Sequence, residues 1–111
     1  MSDHAIQWPT ISQQPFAVTI DASFEPLIPK FLTNRRNELQ TMTDALKRQD
    51  YETVRKVAHG IKGAGGTYGF DALSAVAAGL EQAAKHGDGG AIAAGLDRLT
   101  MYLQGVRVEY E

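Results

Sequence analysis

At 111 residues, with 43% apolar and 22% charged positions and a net charge of -2, the chain suits one soluble domain with one hydrophobic core and lies outside the compositions of disordered proteins. The slight acidity argues against nucleic acid as the main partner, and the absence of cysteine removes disulfides and thiolate metal sites and favours a reducing compartment. No apolar run approaches the roughly 20 residues of a membrane span and no basic-then-apolar leader opens the chain, so neither a membrane nor export is expected and the cytoplasm is the expected location.

Residues 1–20 carry Pro9, Pro15 and several Gln and Ser without helical periodicity, which predicts a flexible lead-in containing a short extended piece near Phe16–Ile20. Trp8 is the side chain there with the size to dock on the rest, and His4 has no assigned part. The folded body is expected over residues 21–111. Asp21 is placed to cap a short helical turn, and Pro29 suits the first turn of the helix that follows, where its missing N–H costs nothing. That helix buries Ile28, Phe31, Leu32, Leu39, Met42 and Leu46 at helical spacings and stops near Arg48. Arg35 interrupts the stripe, either snorkelling to a bundle end or pairing with an acidic side chain.

Asp50 is the expected cap of a second helix with a stripe of Val54, Val57, Ala58, Ile61 and Ala64, broken near Gly69. A third, with Asp71 as its expected cap, buries Leu73, Val76, Ala77, Leu80 and Ala84 and ends at Gly87; His86 there complements the helix dipole. Asp88 caps a fourth that presents Ile92, Leu96, Leu99 and Leu103, after which the chain reads as a charged and aromatic tail with no strand pattern. Four helices with one apolar face each and short connections predict an all-α, antiparallel up-and-down four-helix bundle with a short extended or helical N-terminal lead-in.

The chemistry concentrates in Ala58-His59-Gly60-Ile61-Lys62-Gly63-Ala64-Gly65-Gly66-Thr67-Tyr68-Gly69-Phe70. At about 100° per residue His59 lies about 160° from the centre of its helix's apolar stripe and must face solvent. Glu52, Arg55, Gly63 and Gly66 fall within about 40° of it and Lys62 within about 60°, so the imidazole stands on a surface cleared of side chains on its C-terminal side. The five glycines between Gly60 and Gly69 would together weaken a helix by roughly 4 kcal/mol, a cost that suggests a use: letting the backbone of another protein come close. A neutral imidazole is a competent nucleophile toward a phosphoryl donor, and phosphoryl transfer needs a nearby cation, which Lys62 supplies one turn on. A lone helical histidine is ordinarily a surface residue without a task; the bare surface and Lys62 reverse that reading. Glu81, on the edge of the third helix's stripe, is the candidate acceptor for the N–H of the non-reacting ring nitrogen. Three scattered histidines make no metal site.

With its Ala-His pair, Lys three residues after the histidine, Gly four after it and Gly ten after it, this stretch resembles the signature of histidine-containing phosphotransfer (HPt) domains. The run Gly65 to Phe70 is similar to the phosphorylated N-terminal domain of chemotaxis histidine kinases, where a glutamate 22 residues beyond the histidine partners the ring; Glu81 stands at that offset. The resemblance spans about Phe24 to Leu103. It implies a four-helix bundle that is phosphorylated on the outer ring nitrogen of His59 and exchanges the group with the aspartate of receiver domains in response regulators or hybrid histidine kinases. The implied protein is a phosphorelay carrier and not an enzyme with its own ATP site. It is expected to act as a monomer without a cofactor of its own, magnesium belonging to the receiver, and with Arg55, Gly63 and Gly66 on the partner-contact surface. Two other readings compete: a non-covalent helical adaptor, and the phosphorylated domain of a larger chemotaxis-type kinase. A hydrolase with His59 as base lacks a pocket and a nucleophile.

Overall fold

A computed structural model of the chain describes residues 6–9 and 16–111. The expectations for His4 and Pro15 lie outside the described residues. Four helices form the body: α1 (Ile28–Lys47), α2 (Tyr51–Tyr68), α3 (Asp71–Lys85) and α4 (Gly89–Gly105). Contacts run α1 to α2, α2 to α3, α3 to α4 and α4 back to α1, closing the antiparallel four-helix bundle. Its core is continuous from Ile28 and Met42 through Val54, Ile61 and Leu80 to Ile92 and Leu99, the apolar stripes read along each helix.

The helix ends follow local chemistry. Asp21 accepts from the Ser23 N–H at the head of a 3-10 turn (Ala22–Leu27), and Pro29 sits in the first turn of α1. The carboxylates of Asp50 and Asp88 accept from the N–H groups of Thr53 and Ala91, each satisfying a backbone donor that the first turn leaves without a partner. Gly69 closes α2 with φ +91° and Gly87 follows α3 with φ +62°, the left-handed geometry that favours glycine.

Two expectations need correction. Asp71 does not cap α3: the capping position is Phe70, which makes no side-chain cap bond, and Asp71 is the first helical residue. The turn is so short that the left-handed Gly69 and the fully buried Phe70 adjoin, leaving no room for a separate cap; the Asp71 carboxylate still opposes the positive end of the helix dipole from within the first turn. The C-terminal tail is not irregular: Val106–Tyr110 forms a strand (β2) paired in parallel with Phe16–Ile20 (β1), Phe16 opposite Val106 and Ile20 opposite Tyr110. Val106, Val108 and Tyr110 are half-buried while Arg107 and Glu109 face water, a period-two alternation that five residues directly after a helix hide from a helical reading. A two-stranded sheet is marginal alone; this one is held by Ile20, Val18, Val106, Val108 and Tyr110 packing on the bundle core. Of the two alternatives open for Arg35, the structure shows the pairing with an acid. Its Nε donates to the Glu38 carboxylate and its guanidinium lies 4.6 Å over the Phe31 ring, so the interruption of the stripe is filled by cation–π stacking and an ion pair.

Trp8 docks on the bundle, in a slot between α3 and α4 floored by two buried glycines. A Cβ at Gly79 would lie 2.5 Å from the indole, and one at Gly95 would lie 2.5 Å from it and 2.6 Å from Leu80. Arg98 stacks 5.1 Å from the ring centre on the outer side. Gly79→Ala should therefore expel the indole, red-shifting the emission of the chain's single tryptophan and lowering stability by about 1–3 kcal/mol in urea unfolding. In a Trp8→Ala background the same substitution should cost much less, the contact that remains being Ile6 Cγ2 at 3.0 Å from the added Cβ, and equal costs in both backgrounds would contradict the slot.

Candidate functional site

The site is built on the facing sides of α2 and α3. Val54, Ala58, Ile61 and Gly65 turn inward and anchor α2, which leaves His59 on the outer face with its side chain 66% exposed. On α3, Glu81 stands next to Leu80 at the boundary of the core and its side chain is only 6% exposed. A carboxylate so placed must be compensated, because an unpaired buried charge is costly. Both of its oxygens are engaged: Oε2 lies 2.8 Å from His59 Nδ1 and Oε1 accepts from Lys62 Nζ at 2.7 Å.

The electrostatics assign the ring's protons. The Lys62 ammonium holds the Glu81 carboxyl below the usual carboxylate range, outweighing the upward effect of burial, and the His59 N–H pulls in the same direction. An ionised carboxylate only accepts hydrogen bonds, so the proton between the two groups sits on His59 Nδ1. In the neutral ring the lone pair is then on Nε2, the nitrogen facing away from α3.

The structure thus brings His59, Lys62 and Glu81 into one chain of charge-assisted hydrogen bonds. Lys62, expected beside the ring, is joined to the same carboxylate; the sequence reading did not pair Lys62 with Glu81, because the contact depends on how α2 and α3 are staggered. Arg55, one turn before His59, is held in a two-point bridge by Glu52, Nε to Oε1 and Nη2 to Oε2, both at 2.7 Å.

The glycines separate into two kinds. A Cβ added at Gly60 or Gly63 would meet nothing within 4 Å, so neither is required by packing. Gly65 is different: a Cβ there would press on the Phe70 carbonyl and the Ser74 N–H, each at 3.3 Å, and it serves the close approach of α3 to α2. Gly66 borders Ser74, and Gly69 is the helix cap, not a helical residue. Past Gly60 and Gly63, around α2 toward α1, opens a cleft of about 350 Å³ lined by Leu27, Phe31, Arg35, Ala64 and Tyr68, with Leu27 50% exposed at its rim. The sequence reading missed this cleft, since it forms only where the 3-10 turn, α1 and α2 meet. Among the described residues no group of three or more His, Asp or Glu is placed to hold a metal ion, and no helix is long and apolar enough to cross a membrane.

A family model described as the Hpt domain matches residues 27–109. No curated protein and no solved structure matches the chain.

Because the folded-state carboxyl of Glu81 is lowered from its ordinary value of 4.5, its contribution to stability is complete above that value and is lost as pH falls through the lower folded one. Glu81→Gln should cost about 1 kcal/mol at pH 7, modest because both partners, Lys62 and His59, still reach solvent, and should flatten the stability profile below pH about 5. Urea midpoints measured against pH check this; parallel profiles for the two proteins would contradict it.

Proposed function

The chain belongs to the Hpt domain family, whose members carry out histidine phosphotransfer in phosphorelays as phosphocarriers rather than catalysts, and from that premise we propose that His59 is the residue phosphorylated, on Nε2, and that the group is exchanged with the aspartate of a receiver domain. The observation that carries this reading is the exposed imidazole whose inner nitrogen is bonded to a buried, ionised carboxylate. In the forward step the Nε2 lone pair attacks the phosphorus of the receiver's aspartyl phosphate, the N–P bond forms, the P–O bond to aspartate breaks and the aspartate leaves as a carboxylate. The ring gains positive charge as the bond forms. Glu81, 2.8 Å from Nδ1, offsets that charge without taking the proton, so the reverse step restores the starting ring. Lys62 has three ammonium protons; one serves Glu81 and the others are available to the phosphoryl oxygens, which is the role proposed for it.

The chain's own part is nucleophile, charge compensation and shape, and the metal that assists the transfer is assigned to the receiver. The proposed contact surface runs from His59 across the bare backbone of Gly60 and Gly63 to the cleft beside Leu27 and Tyr68, with Arg55 and Gly66 at its margins. An exposed apolar rim and a backbone open to approach suit a docked protein better than a small substrate. A cytoplasmic setting is proposed with this partner.

Incubation with a receiver domain charged by acetyl phosphate should place acid-labile, alkali-stable label on the chain. His59→Gln should abolish the label and cost no more than about 1 kcal/mol in unfolding, the loss of one hydrogen bond to Glu81 from an otherwise exposed side chain. Label that persists in this variant would refute the assignment. Gly63→Arg should raise helix stability by about 0.5–1 kcal/mol while lowering transfer from the receiver by an order of magnitude or more, because it fills the bare surface. Undiminished transfer would exclude Gly63 from the contact.

A further inference from the structure

Side-chain hydroxyls in helices ordinarily bond their own helix, and in this chain Thr33, Thr41, Thr43, Thr67 and Thr100 each donate to the carbonyl four residues back. Ser74 breaks that pattern. The equivalent acceptor would be the Phe70 carbonyl, yet the Ser74 hydroxyl crosses from α3 to α2 and donates to the main-chain oxygen of Lys62. It reaches that far because Gly65 has no side chain: the Ser74 N–H and Cβ occupy the space that a Gly65 Cβ would need, at 3.3 and 3.4 Å from it. Gly66 keeps the flank of the same contact open, its own Cβ position 3.8 Å from Ser74 Oγ.

Seven residues separate Ser74 from Glu81, two turns of α3, so the two side chains lie along one face of that helix. Lys62 meets both. Its carbonyl takes the Ser74 hydroxyl and its ammonium bonds Glu81, while Glu81 also holds His59 one turn earlier on α2. Apolar packing alone constrains the stagger of two helices loosely, since small side chains such as Ala77 and Ala84 can slide; a directional bond to a mid-helix carbonyl does not. We propose that Ser74 is a positioning residue whose bond to the Lys62 carbonyl fixes the stagger of α3 on α2 and so holds the Glu81 carboxylate opposite the inner nitrogen of His59. The inference rests on His59 being the phosphoryl carrier only for its effect on rate; its effect on the ring is independent of that role.

The test compares Ser74→Ala, Ser74→Thr and Glu81→Gln, alone and with Ser74→Ala combined with Glu81→Gln, in the full chain. Nitrogen NMR of the unphosphorylated protein, at a pH where the imidazole is neutral, reads which ring nitrogen of His59 bears the proton. Wild type and Ser74→Thr should show the Nδ1–H form predominating, and Ser74→Ala a severalfold rise in the Nε2–H form. Transfer from a charged receiver should slow about tenfold in Ser74→Ala at saturating receiver, with the half-saturating concentration unchanged, as for a misplaced reacting group. In the Glu81→Gln background Ser74→Ala should change the rate less than twofold. An unchanged tautomer ratio in folded Ser74→Ala, or the same loss of rate in both backgrounds, would overturn the proposal. Absence of label from the wild type would instead refute the carrier reading and leave the tautomer result standing as the test of Ser74.

Discussion

A carboxylate at the edge of a helical core organises this molecule's chemistry. Glu81 is nearly excluded from solvent, and such a charge is tolerated only where donors meet both of its oxygens. The donors are two side chains one turn apart on the neighbouring helix, His59 Nδ1 and Lys62 Nζ. Everything distinctive about the exposed imidazole follows: its proton is held inward, its lone pair is directed outward, and its rotation is limited although two thirds of the side chain is in water. An exposed imidazole is thus oriented from below by a group that belongs to the interior.

The glycine-rich half of α2 is organised around the same requirement. Gly65 lets α3 approach closely enough for Ser74 to reach across, whereas Gly60 and Gly63 have no packing use and leave open the ground beside the ring. A helix with four interior glycines would be weak in isolation; α2 persists because it packs along its length against both α1 and α3. Glycine spacing on one helix therefore separates a side that is tightly packed from a side that is bare.

Much of this was legible in the chain itself. Apolar spacings located the helices, Asp21, Asp50 and Asp88 marked starts that the structure shows, and the wheel put His59 outside. These are local features, fixed by residues within a turn or two of one another. What escaped depends on distance. The strand Val106–Tyr110 acquires its meaning from Phe16–Ile20, some ninety residues earlier, and the bond between Lys62 and Glu81 depends on a stagger that the period of neither helix encodes. Asp71 looked like a cap because its side chain is of the right type, but the tightness of the Gly69-Phe70 turn decided otherwise. Arg35 left its alternatives open in the sequence, and the Phe31 ring beneath it and Glu38 one turn on decide between them.

The central claim is that the outward nitrogen of one imidazole bears the phosphoryl group while the inward nitrogen keeps its proton. Long-range nitrogen–proton correlation spectra of the freshly phosphorylated, isotope-labelled protein resolve both atoms directly. The account predicts phosphorus on Nε2 of His59 with Nδ1 still protonated; phosphorus on Nδ1, or on any other residue, would contradict it.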